Sequence, residues 1–163
     1  MGMKTLLIFV LLTTPVWAQS WPQTPPRLGK LELKQEYWEY LKEAADRCQI
    51  SPFLIQAVCA IESSYDPEAR SGNGIGLMQL HRDTAKRYGV DPHKSRENIL
   101  GGAAVLARLI QKYQGDLRKV IRGYNGSGNP AYERKVIRAY KQAQARGTPS
   151  LPSEKTEVSP LGW

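Results

Sequence analysis

The stretch from Ser51 to Glu62 constrains the fold more than any other. Phe53, Leu54, Ile55, Ala57, Val58, Cys59, Ala60 and Ile61 are all apolar, so a helix built from them is apolar nearly all round and belongs inside a domain. Ser51 and Pro52 have the N-cap and first-turn chemistry that opens such a helix, and the pattern runs from Phe53 to about Ser63. Other elements must wrap it. Leu33, Tyr37, Leu41, Ala44 and Cys48 recur at three- and four-residue steps and predict an amphipathic helix ahead of it. Beyond it, Gly72, Gly74 and Gly76 break regular structure, and a third helix is expected from about Leu80 to Tyr88, ended by Gly89. A fourth starts near Ser95, carries the stripe Ile99, Ala103, Leu106, Ile110 and Tyr113, and closes at Gly115. The fifth covers about Leu117 to Tyr124, and the sixth opens with Asn129-Pro130 and places Tyr132, Val136, Ala139 and Tyr140 on one side. No run alternates like a strand. The expected fold is all-α, with at most a short hairpin around the glycines.

The flanks read differently. Residues 1–18 have a basic start at Lys4, an apolar run from Thr5 to Leu12 and small residues around Val16-Trp17-Ala18, the pattern of a cleaved secretory signal peptide. Pro15 interrupts the run, which falls short of the roughly 20 apolar residues that span a bilayer. Residues 19–30, with Pro22, Pro25 and Pro26, read as an extended lead-in. Residues 147–163, with Pro149, Pro152 and Pro160 among polar residues, read as a disordered tail. Between them, residues 31–146 form one domain, a size that supports a single core.

The net charge is +8 over 163 residues. The basic residues are scattered over several helices and match no nucleic-acid motif, so a nucleic-acid partner is not expected. For an exported basic protein, located in the periplasm or cell envelope, the cell wall and the anionic membrane surface fit better. The only two cysteines, Cys48 and Cys59, are either a disulfide pair formed in an oxidising compartment or two buried free thiols. Neither His81 nor His93 stands at zinc-ligand spacing from them, so no metal is expected.

Glu62 is the single acid of the apolar helix and lies in its last turn. Burial disfavours its charged form, and so does the negative end of the helix dipole. A carboxyl held partly protonated near neutral pH suits a general acid for glycosidic-bond cleavage. A surface glutamate at a frayed helix end is the plain alternative.

The stretch Ile61-Glu62-Ser63-Ser64-Tyr65-Asp66-Pro67-Glu68-Ala69-Arg70-Ser71 closely resembles the Glu-Ser motif of the soluble lytic transglycosylase (SLT) catalytic domain, glycoside hydrolase family 23. Gly74-Ile75-Gly76-Leu77-Met78-Gln79-Leu80 resembles that family's second motif, Gly115-Asp116 with Tyr124-Asn125-Gly126 its third, and Tyr132 to Val136 its fourth. The resemblance implies a lysozyme-like fold of the compact single-domain type, often encoded beside secretion, conjugation or pilus machinery. It implies cleavage of the β-1,4 bond between N-acetylmuramic acid and N-acetylglucosamine in peptidoglycan, leaving 1,6-anhydromuramic ends and needing no cofactor. Glu62 would protonate the leaving oxygen and then act as base on the muramic C6 hydroxyl, with help from the substrate's N-acetyl group.

The same resemblance places Ser71 near the catalytic carboxyl, Met78 and Gln79 in the substrate groove, Tyr124 and Asn125 beside Glu62 with the Tyr124 phenol as its donor, and Tyr132 in the groove wall. Core packing is the alternative for Met78 and Tyr132, and a phenol satisfied elsewhere for Tyr124. Gly74 and Gly76 lack side chains and allow a sugar to approach closely. Two departures bear on the groove: the glycine turn is one residue shorter than the commonest family form, and His81-Arg82 replaces an apolar residue and a proline. Ordinary glycosidases need a second carboxylate, but the nearest, Asp66, precedes Pro67 and reads as a turn residue. A water-using muramidase and a non-catalytic wall-binding or assembly component are the competing functions. The chain is expected to act as a monomer.

Overall fold

The computed structural model describes residues 21–147. The signal peptide read at residues 1–18 and all of the expected tail after Gly147 lie outside the described residues. Six helices follow in order: α1 (Gln35–Cys48), α2 (Pro52–Ser63), α3 (Arg82–Tyr88), α4 (Ser95–Lys112), α5 (Leu117–Asn125) and α6 (Pro130–Gly147). Between α2 and α3 lie β1 (Arg70–Ser71), β2 (Gly74–Ile75) and β3 (Leu80–His81). They form an antiparallel sheet in the order β1-β2-β3, with Arg70 opposite Ile75 and Ile75 opposite Leu80.

α2 is the central element, as its composition requires. Every residue from Pro52 to Ala60 is buried, and α6 and α1 pack along it while α4 covers α1. Complete burial of Ile55 and Val58 stabilises the fold by roughly 1.5–3 kcal/mol for each side chain. Trp38 of α1, fully buried, stacks on Phe53 at 6.0 Å between ring centroids. Ser51 occupies the N-cap in extended conformation without a side-chain cap bond, so Pro52, with its preset φ, supplies the start signal.

Three boundaries differ from the sequence reading. Leu80 and His81 pair with β2 as a strand, and α3 begins only at Arg82. The His81 ring caps it, Nδ1 accepting from the Asp83 amide at 3.3 Å. Gly147 ends α6 and is buried; a Cβ there would stand 2.4 Å from the Phe53 ring. The lead-in is also part of the packed body from Trp21 onward, where Leu31 was the expected start. Trp21 meets Phe53 edge-on at 5.6 Å, and Leu28 is buried. The Trp38 indole donates to the Pro22 carbonyl at 2.8 Å, and the buried Gln56 amide to the Pro26 carbonyl at 2.6 Å. Prolines have no N–H to satisfy but keep a carbonyl acceptor, so this segment serves buried donors without any apolar period to announce it.

Candidate active site

Glu62 stands in the last turn of α2, and the chain leaves that helix through a strained reversal. Ser64 and Tyr65 have φ of 55° and 69°, and left-handed non-glycine residues cost on the order of 1–3 kcal/mol each. The reversal is fixed on several sides. The Ser64 amide donates to the Ala60 carbonyl at 3.2 Å, the Asp66 amide to the Ser63 carbonyl at 3.0 Å, and the Tyr65 side chain is buried in the core. Ser63 Oγ donates to the Leu77 carbonyl at 2.8 Å and lies 3.1 Å from that of Cys59. The helix end is thereby tied to the glycine loop.

A cleft of about 500 Å³ opens where α2, the short sheet and the end of α5 meet. Glu62, Ser71, Gln79, Tyr124 and Asn125 line it together with Asn73, Gly74 and His81. Glu62 is the one carboxylate among these lining residues. Tyr132, reaching in from α6, donates its phenol to Glu62 Oε1 at 2.5 Å. Burial raises the Glu62 pKa above the usual carboxylate value, and the Tyr132 hydrogen bond offsets that rise only in part. Both phenols are held protonated, chiefly by burial and next by the nearby Glu62 charge.

The phenol on Glu62 is therefore that of Tyr132, not of Tyr124 as the motif suggested. Tyr124 donates instead to the Met78 carbonyl at 2.9 Å. Met78 itself is fully buried and does not line the cleft. Its sulfur packs so closely on Gly102 of α4 that a Cβ there would lie 2.4 Å away, and packing, not sugar contact, is its use here. Gly76 is likewise buried in the loop: its φ of 70° and the approach of Asn98 demand glycine. At Gly74 the space a side chain would fill is occupied by Gln79. Ser71 is exposed at the cleft rim in β1. Gln79 donates to the Ala69 and Gly76 carbonyls, both at 3.0 Å, and its Oε1 is buried without a partner.

Cys48 and Cys59 are unbonded. Cys59 is buried beneath the site, and burial pushes its thiol pKa upward, so it stays protonated. The free-thiol alternative is the one the fold adopts, with Cys48 half-buried at the end of α1 and Cys59 buried in the core on α2.

Asn98 is the supporting residue that the sequence reading passed over. Fully buried in α4, it accepts from the Met78 amide at 2.9 Å and donates to the carbonyls of Ile75 at 2.7 Å and Pro92 at 2.8 Å. Strands of two residues carry too few ladder bonds to hold a loop, and Asn98 supplies the missing anchor. Its signal was its place four residues before Gly102 and eight before Leu106, on the buried face.

The family described as Transglycosylase SLT domain matches residues 39–147 of the chain. A transglycosylase of Enterobacteria phage PRD1 is 38% identical over 98 residues, covering 59% of this chain and 37% of the relative. Membrane-bound lytic murein transglycosylase F 1 of Alkalilimnicola ehrlichii is 33% identical over 90 residues, covering 54% of this chain and 18% of the relative. Among solved structures, an inactive mutant of lytic transglycosylase Slt from Pseudomonas aeruginosa superposes with a TM-score of 0.57 at 19% identity, over 66% of this chain and 23% of that one. The chain thus spans well under half the length of these proteins, while the match of fold is that of a lytic transglycosylase with its lysozyme-like architecture. With the family motifs gathered around one cleft and the family match covering most of the described residues, the chain belongs to the transglycosylase SLT domain family.

Proposed function

We propose that the chain is a peptidoglycan lytic transglycosylase in which Glu62 serves as acid and then as base. The observation that carries this reading is a raised-pKa carboxyl standing as the single acid among the residues that line the cleft. Tyr132 occupies Oε1, which leaves Oε2 to face the glycosidic oxygen. The protonated carboxyl donates to the leaving N-acetylglucosamine oxygen as the bond to the muramic anomeric carbon breaks. The resulting carboxylate then takes the proton of the muramic C6 hydroxyl, whose oxygen closes on the anomeric carbon. The product is a 1,6-anhydromuramic end, and no water is added.

A water-using mechanism needs a second carboxylate. Asp66 is exposed and accepts from the Glu68 amide at 2.9 Å, a turn-capping bond that supports intramolecular closure over hydrolysis. Tyr132 fits the two-step role because a phenol that cannot ionise donates to the carboxylate after the first step without neutralising it. Asn125 and Ser71 at the cleft rim supply polar contacts for the sugar.

The leader-like N-terminus and basic charge support export to the periplasm or cell envelope. No helix among the described residues is long and apolar enough to cross a membrane. The resemblance to the compact type of the family suits local opening of the wall during assembly of an envelope-spanning secretion, conjugation or pilus apparatus. Digestion of purified peptidoglycan, read by product mass, tests the chemistry. The expected fragments are lighter by one water per cut than hydrolysis products; fragments carrying that water would make the protein a muramidase. Equal activity in Glu62→Gln would remove the residue from the reaction.

A further inference from the structure

An open groove of about 460 Å³ runs along the outer face of α6 beside the start of α5. Arg134, Arg138 and Lys141 of α6 line it with Arg118 of α5, Ile137 and Ala145 add apolar surface, and no acidic residue takes part. Arg134, Arg138 and Lys141 are exposed, and none has an ion-pair partner among the described residues. The one acid of α6, Glu133, is buried and already bound by Arg118 and Arg122. Even so, the Arg118 side chain stays 69% exposed. α1 differs: there Glu39 pairs with Lys42, and Glu43 with Arg47 and Arg96. The outer face of α6 is thus a cationic strip that the protein itself leaves unneutralised.

Helix geometry separates this strip from the cleft. Tyr132, whose phenol bonds Glu62, marks the side of α6 that faces the cleft. Arg134 and Lys141 follow it by two and nine residues, and at about 3.6 residues per turn both stand about half a turn round the helix from it. Arg138, six residues on, stands about a third of a turn away. Val136, Ala139 and Ala143 are buried and take the inner side. A partner bound to the cations therefore leaves the cleft open. From Arg134 to Lys141 the strip covers about 10 Å of axis at about 1.5 Å per residue, enough to meet several separate anions.

Protein interfaces centre on anchoring side chains seated in closed pockets, whereas this groove is open and has no aromatic residue among those that line it. An anionic phospholipid surface presents phosphates at whatever spacing the cations need, and its headgroup boundary accepts apolar contacts such as Ile137 and Ala145. Guanidinium groups fork onto phosphate oxygens in two parallel bonds, and the Lys141 ammonium adds a point charge. We infer that the outer face of α6, through Arg134, Arg138 and Lys141 with Arg118 beside them, docks the protein on an anionic phospholipid surface and holds the Glu62 cleft turned away from it. The inference goes beyond the glycan-cleaving reading and does not depend on that chemistry, because docking is read by binding alone.

The test measures co-sedimentation of the full chain with phosphatidylcholine vesicles made with and without phosphatidylglycerol, and takes the ratio of the two affinities, which cancels contacts that do not depend on lipid charge. The wild-type protein should favour the anionic vesicles, less so as salt is raised. Each basic residue near an anionic surface strengthens binding about fivefold, so the ratio should fall about 100-fold in Arg134→Gln/Arg138→Gln/Lys141→Gln and about fivefold in each single variant, with circular dichroism checking that they fold. Arg134→Lys/Arg138→Lys keeps the charge and should keep most of the preference. Arg82→Gln/Lys86→Gln/Arg87→Gln removes the same charge from α3 and should cost far less. Equal losses in the α3 and α6 variants would reduce the effect to net charge and overturn the docking face, as would a wild-type protein indifferent to phosphatidylglycerol. Loss of the preference to inorganic phosphate at matched ionic strength would make the groove a site for one free anion. An α6 variant that keeps the preference but no longer binds purified peptidoglycan would assign the strip to the wall; either result overturns the inference.

Discussion

Glu62, bonded by Tyr132 of α6, and Glu133, carried by α6 itself, are both glutamates at least partly withdrawn from solvent, and their partners set them in opposite states. At the end of α2 the partner of Glu62 is a neutral phenol, and burial raises its pKa. In the α5–α6 seam Glu133, 1% exposed, bonds the guanidinium of Arg118 at 2.6 Å and that of Arg122, and the Arg122 hydrogen bond foremost lowers its pKa. Burial alone does not make a carboxyl reactive; the charge of its partner decides whether it can hold a proton. The seam holds an anion fixed by two cations, and the cleft holds a carboxyl that can keep its proton, as the proposed acid-then-base role requires.

The comparison breaks most visibly in Glu62→Gln. Loss of the general acid is expected to lower kcat by about 10³-fold or more, measured on peptidoglycan under saturating conditions, while the amide still accepts from Tyr132. Its stability should move the other way. A carboxyl whose folded pKa is raised binds its proton more tightly in the fold, so stability falls as pH rises from the ordinary value of 4.5 through the raised one. Glu62→Gln escapes that loss: its melting temperature should match the parent's in acid and exceed it at neutral pH.

Next in size is Asn98→Ala, which leaves the Met78 amide and the carbonyls of Ile75 and Pro92 without their partner. A loss of about 2–4 kcal/mol is expected, read in denaturant unfolding and little changed by pH or salt because no ion is involved. Tyr132→Phe sharpens the cleft side. Removing the one contact that lowers the Glu62 pKa lets it rise further, so the alkaline limb of the pH–rate profile moves to higher pH while kcat falls about tenfold. Smallest is Glu133→Gln. A lowered folded pKa gives stability that is present above the ordinary carboxyl value and lost as pH falls through the lowered one. The variant's melting temperature should therefore be lower by a few degrees at neutral pH, with the gap closing in acid and kcat close to the parent's.

The helices were legible because each has to bury a stripe or, for α2, its whole surface, and apolar spacing records that demand directly. The lead-in was not legible: Trp21, Pro22 and Pro26 pack through single rings and carbonyl acceptors, which leave no period. The glycine loop was legible as a break, yet its three-stranded pairing depends on Asn98 and Gln79, residues whose side-chain bonds reach across 20 and 10 positions of the chain. The motifs located Glu62, but the choice between Tyr124 and Tyr132 as its donor depends on how α5 and α6 are set relative to α2, which no spacing within either helix contains. Nothing in the spacing of α6 marks Glu133, because its two arginines come from α5.

The most direct measurement is a site-resolved titration of the two carboxyls by carbon-13 NMR of the glutamate side chains, with Glu62→Gln and Glu133→Gln used to assign the signals. The account predicts that Glu62 titrates above an ordinary glutamate and Glu133 below it in the same sample. A Glu62 carboxyl titrating at or below the ordinary value would contradict it, because such a group would hold no proton to give.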